Sequence, residues 1–169
     1  VGLTGDEPCT HDSSGGLRGH KGEVYEGGHR VPMIVRWDRG GLPRDAVRSD
    51  LVALPDLYAT LLHLVGAPPP KSGQAVDSIS FRHLLVADAP AAATKRRTTV
   101  CALASDEYTQ PLPHRWGVRI RQQWKLIGRV ETPGTDEPQA DDPFILVAEE
   151  LYDVETDVYE TTNRLEADV

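Results

Sequence analysis

The sequence predicts a chain that mixes helix and strand, and three runs carry that expectation. Leu57, Leu61, Leu64 and Val65 recur at i, i+4, i+7 and i+8, the spacing of one helical face. Trp116, Val118 and Ile120 alternate with Gly117, Arg119 and Arg121, as the inner face of a half-buried strand does. Val31 to Trp37 is short and largely apolar and reads as a buried strand. At 169 residues the chain matches one ordinary domain.

Ahead of that first strand, residues 17–32 form a glycine-rich loop. Gly19, Gly22, Gly27 and Gly28 free the backbone for conformations closed to other residues and for close approach to a ligand. Arg18, His20, Lys21, His29 and Arg30 supply hydrogen-bond donors. A cation presented on such a loop suits an anion. After the strand, residues 38–43 read as a turn. Pro55 and Asp56 open the helix, with proline at a tolerated position and an acid near the positive end of the dipole; Gly66 and Pro68 to Pro70 stop it. His63 is expected on its surface. Residues 87–97 are small and polar and read as an exposed linker, with Lys95, Arg96 and Arg97 as a solvated face. Thr98 to Ala104 is rich in strand formers. Gln122 and Gln123 turn the alternating strand into a second one over Trp124 to Val130, residues 131–143 form a loop, and Phe144 to Val147 a further strand. Trp116 and Trp124 are assigned to core packing rather than to a carbohydrate-stacking pair.

Charge narrows the partners. The net charge is −8, which argues against general nucleic-acid binding. Residues 136–169 hold twelve acids against one base, so the acidity belongs to the tail and an anion would be admitted only at a local basic pocket. No apolar run approaches the ~20 residues that span a bilayer. No signal peptide is recognisable, in a chain that opens at Val1. Cys9 and Cys101 define no disulfide framework, and Cys9, His11 and Asp12 match no familiar zinc spacing.

Residues 17–32 resemble the Leu-Arg-Gly-x-Lys-Gly-x-x-x-Glu-Gly-Gly-x-Arg-Val-Pro motif of the type I, formylglycine-dependent sulfatases, with eleven positions agreeing in order. Further runs resemble that family in the same order: Leu51 to Gly66, Asp77 to Leu85 with Ser78 in place of glycine, Val118 to Ile127, and Glu150 to Asn163 with Val158 in place of proline. The resemblance implies an α/β fold: the end of a large mixed sheet flanked by helices, then a small antiparallel sheet with a C-terminal helix. It implies the end of a catalytic domain over residues 1–86, a linker over 87–97 and a small subdomain over 98–169. It also implies that Lys21 contacts the sulfate of a substrate, with His20 a weaker candidate for substrate contact or proton transfer, while Glu26 and Arg30 brace the loop.

The same resemblance shows what this chain lacks. The family nucleophile arises in a Cys/Ser-x-Pro-Ser-Arg motif, and the sequence contains no Pro-Ser dipeptide. The family's divalent cation, usually calcium, is held partly by an Asp-Asn pair ahead of the lysine loop, and the only asparagine is Asn163. The expectation is a C-terminal sulfatase part, inactive alone, that contributes a sulfate-binding lysine and no metal ligand. Its implied partners are the missing catalytic part and a sulfated small molecule or glycan, in an extracytoplasmic compartment. Two other readings stand beside it: a non-catalytic remnant or anion-binding module, and a phosphate or phosphonate hydrolase of the same alkaline-phosphatase-like superfamily.

Overall fold

The computed structural model describes residues 12, 14–86, 95–104, 115–134 and 143–165. Two compact units are present, one of Val1–Pro32 with Cys101–Val169 and one of Met33–Val100. Cys9, His11 and most of the expected linker lie outside the described residues.

The first unit is built on an antiparallel sheet in the order β1 (Thr99–Ala104), β2 (Arg115–Ile120), β3 (Trp124–Glu131), β4 (Ile145–Asp153). The alternating run is β2, and its register with β3 runs from Arg115 opposite Arg129 to Ile120 opposite Trp124. The turn between them, residues 121–123, puts Arg121 at φ 55°. β3 pairs β4 from Trp124 opposite Asp153 to Glu131 opposite Ile145, with a break in register at Ile127/Gly128. A Cβ on Gly128 would lie 2.0 Å from the Val147 carbonyl oxygen and 2.6 Å from the Trp116 ring, so this strand position has room only for glycine. Trp116 is buried as expected and donates its indole N–H to the Arg129 carbonyl at 3.0 Å.

Val24 and Tyr25 of the glycine-rich loop complete the core of this unit with Ile127, Tyr152 and Val154. The four-residue helix α1 (Glu26–His29) follows directly. Beyond β4 the described residues run through turns to Leu165, and no helix forms among them, in place of the expected terminal helix. Asn163 ties this tail to β4: its side-chain oxygen accepts from the Leu151 N–H at 2.9 Å and its amide donates to the Glu149 carbonyl at 3.1 Å.

In the second unit α2 (Asp56–Leu64) begins where Pro55 and Asp56 predict, and Gly66 ends it at φ 69°. Ser78 serves its first turn from outside, accepting from the Ala59 N–H at 3.0 Å and donating to the Pro55 carbonyl at 2.6 Å. α3 (Arg82–Leu85) follows. His63 is exposed and 3.2 Å from Ser80 Oγ.

Three expectations need correction. Val31 to Trp37 forms no strand: Ile34 is 92% exposed, and among the described residues no neighbouring strand satisfies the segment's backbone. The run has a strand's apolar composition without the pairing that makes a strand. The apolar stripe of α2 is not the face it buries here, since Asp56 and Thr60 are buried while Leu61 and Val65 are exposed. Finally, Arg97 is no solvated cation. It grips the buried Asp56 carboxylate through two nitrogens, Nε to Oδ2 at 2.7 Å and NH2 to Oδ1 at 2.6 Å, and Arg96 lies 3.6 Å from Asp50. Asp56 also accepts the N–H groups of Ala53 and Ile79. Burial favours the neutral acid, but the guanidinium and these N–H groups outweigh it and hold the carboxyl below its usual range.

Candidate substrate-binding loop

Residues 18–28 close on themselves through backbone bonds. The Gly27 N–H donates to the Arg18 carbonyl at 2.7 Å, and the Glu23 N–H to the His20 carbonyl at 3.0 Å. This closure dictates the adjacent glycines. A Cβ on Gly27 would stand 2.2 Å from the Gly19 carbonyl oxygen, and one on Gly28 would stand 2.1 Å from that of Glu23. Gly22, at φ 101°, supplies the reversal beside Lys21.

Charge holds the closed loop on the sheet. Glu26 is 3% exposed and lies 3.0 Å from Arg119 NH1 on β2, 3.2 Å from Lys125 Nζ on β3, and 3.5 Å from Arg30 NH1. Burial raises its pKa, yet the His29 ring and the Lys125 and Arg119 cations overcome that and hold it far below the ordinary carboxylate range. Lys125, 1% exposed, also forms an ion pair with Glu160 Oε1 at 2.8 Å. Sequence reasoning assigned bracing to Glu26 and Arg30 but missed Lys125 and Glu160; a buried pair of opposite charges far apart in the chain leaves no local signature.

A second cluster secures the start of the loop. Arg18 lies 3.8 Å from the Tyr25 ring centroid and donates to the Tyr152 hydroxyl at 2.7 Å and the Tyr25 hydroxyl at 2.9 Å. Tyr25 donates to Glu150 Oε1 at 2.9 Å, and Arg115 pairs with the same carboxylate. Burial, reinforced by the Glu150 charge, pushes the Tyr152 hydroxyl up to about 12.

Against this background Lys21 differs from the loop's other cations. It is exposed and makes no ion pair among the described residues, whereas Arg18 and Arg30 each face a carboxylate. His20 is also engaged: its Nδ1 is 2.7 Å from Glu23 Oε2, which accepts the His20 backbone N–H at 2.8 Å. The carboxylate takes up Nδ1 and leaves Nε2 as the ring nitrogen open to another partner. The loop can therefore offer one ammonium and one oriented imidazole to an anion. Residues 17–32 contain no Cys or Ser, the residue types from which the implied family's nucleophile arises. Among the described residues no group of three His, Cys, Asp or Glu side chains could hold a metal ion. No helix among them is long and apolar enough to cross a membrane.

No protein-family model matches the chain. Over 77 residues it is 39% identical to the steryl-sulfatase of Mus musculus, a match that takes in 46% of this chain and 12% of that protein. The chain thus spans a small part of the relative's length. Two solved structures are similar at 22% identity, each covering 64% of this chain and 19% of its own: a sulfatase candidate from Bacteroides thetaiotaomicron with a TM-score of 0.43, and a protein solved with its substrate D-glucosamine-2-N,6-O-disulfate with a TM-score of 0.39.

Proposed function

We propose that this chain, a sulfatase-type C-terminal part, works in an intact enzyme that hydrolyses sulfate esters, and that Lys21 holds the sulfate there. The observation that carries the reading is that Lys21 makes no ion pair among the described residues, on a loop whose Arg18 and Arg30 each face a carboxylate. An exposed, flexible ammonium can neutralise a sulfuryl oxygen. Such a charge-assisted hydrogen bond contributes about 1.5 to 3 kcal/mol, roughly 10- to 100-fold in affinity or rate. His20, its Nδ1 held by Glu23, presents Nε2 as a secondary contact or proton acceptor.

The attacking group, a formylglycine hydrate by family likeness, and the divalent cation come from outside these residues. In this division residues 1–86 belong to the catalytic domain and 98–169 form its C-terminal subdomain, with Val24 and Tyr25 of the Lys21 loop packed into the core of the latter. The family likeness also supports an extracytoplasmic location and a sulfated aryl or glycan substrate. Turnover of a sulfate ester and of the matching phosphate ester by the intact polypeptide tests the reading. Preferential sulfate cleavage is expected. Preferential phosphate cleavage would move the assignment to a phosphate or phosphonate hydrolase, and turnover of neither would favour an anion-binding module.

A further inference from the structure

Glu160 stands at φ 54°, in the left-handed region that side chains other than glycine rarely adopt. A residue is kept in that conformation by what surrounds it, and such strain tends to collect at functional positions. Here the surroundings are the Lys21 loop. The Glu160 carbonyl accepts from Arg18 NH1 at 3.0 Å, and its Oε2 accepts the Glu26 backbone N–H at 2.8 Å. One residue therefore grips the loop on both sides of Lys21. Its side chain is fully buried, and Lys125 Nζ lies between its Oε1, at 2.8 Å, and Glu26 Oε1, at 3.2 Å.

Neither the buried ion cluster nor the left-handed backbone is an efficient source of stability; apolar side chains and a glycine would serve better. What the arrangement does supply is position. Resting on the reading of Lys21 as the sulfate contact, we propose that Glu160, braced by Lys125, is a positioning residue that sets the loop carrying Lys21. The antiparallel sheet and its tail then act on the substrate through this clamp, without touching it.

The test is a double-mutant cycle in the intact polypeptide, pairing Lys21→Ala with Glu160→Gln and read as kcat/KM for an aryl sulfate, together with amide hydrogen exchange over residues 18–28. Glu160→Gln keeps the shape and an acceptor for the Glu26 N–H but loses the charge facing Lys125. It should speed exchange across the loop by roughly tenfold while β2 and β3 keep their protection. Lys21→Ala, costing roughly 10- to 100-fold in the parent, should cost less than about threefold in the Glu160→Gln background. Lys125→Arg, which keeps the charge, should retain slow exchange. Where Lys21→Ala is costly in the parent, an equal cost in the Glu160→Gln background overturns the clamp, and so does unchanged loop exchange in Glu160→Gln. A Lys21→Ala variant as active as the parent overturns the substrate contact on which the positioning role rests, and loss of loop protection in Glu160→Gln would mark that failure as one of the reading and not of the clamp.

Discussion

Replacing Lys125 with methionine removes the cation shared by two buried carboxylates. Glu26 keeps Arg119 at 3.0 Å and Arg30 at 3.5 Å, but Glu160, with a fully buried side chain, is left with the Glu26 N–H as its side chain's hydrogen-bond donor. Removing one partner of a buried pair costs about 3 to 5 kcal/mol, because the orphaned charge stays desolvated. That is a large part of the 5 to 15 kcal/mol that typically holds a domain together. With a urea m-value of roughly 2 kcal/mol/M, the unfolding midpoint should fall by about 2 M. Tryptophan emission is a suitable probe, since Trp116 reports from inside the sheet. Lys125→Met combined with Glu160→Leu should regain much of the loss, because a buried pair is replaced more cheaply than it is broken. A midpoint within about 0.3 M of the parent for Lys125→Met alone would refute the buried-charge argument.

Other outcomes follow from the same geometry. Glu26 has a folded-state pKa below its unfolded one, so its stabilisation is present above the ordinary value of 4.5 and is lost as pH falls through the folded value; acid unfolding should steepen below that pH, and Glu26→Gln should flatten the pH dependence of the midpoint. Gly27→Ala forces a Cβ to 2.2 Å from a carbonyl oxygen and should lower stability by about 1 to 3 kcal/mol or unseat the loop. Gly22→Ala, with open space around it but φ 101°, should cost only about 1 kcal/mol, and thermal melts of the two variants check the difference. Asp56→Asn breaks the grip of Arg97 and should cost the helical unit about 3 kcal/mol, seen as loss of amide protection in α2.

Local features of this chain were legible wherever local chemistry decides them. Pro55, Asp56 and Gly66 mark the ends of α2, the alternation at Trp116, Val118 and Ile120 marks β2, and the paired glycines mark the tight loop, because caps, pleat and sterics each act over a few residues. The segment Val31 to Trp37 and the apolar stripe of α2 misled for a shared reason. Hydrophobic pattern says what a segment would bury, while the burial itself depends on a partner surface, and none of the described residues provides one to Ile34 or Leu61. The glycine loop and Lys21 were legible as a motif. The clamp was not, because Glu26, Lys125 and Glu160 are brought together only by the sheet, and a glutamate at φ 54° looks in sequence like any other acid of the tail.

Under the proposed function Lys21 holds the sulfate in a sulfatase whose reacting groups lie elsewhere. The most direct measurement is kcat/KM for an aryl sulfate in the intact polypeptide with Lys21 and with Lys21→Ala, the fold being checked by the urea midpoint. A fall of roughly 10- to 100-fold with the midpoint unchanged is expected, since Lys21 is exposed and makes no ion pair among the described residues. Equal kcat/KM for the two proteins would contradict it.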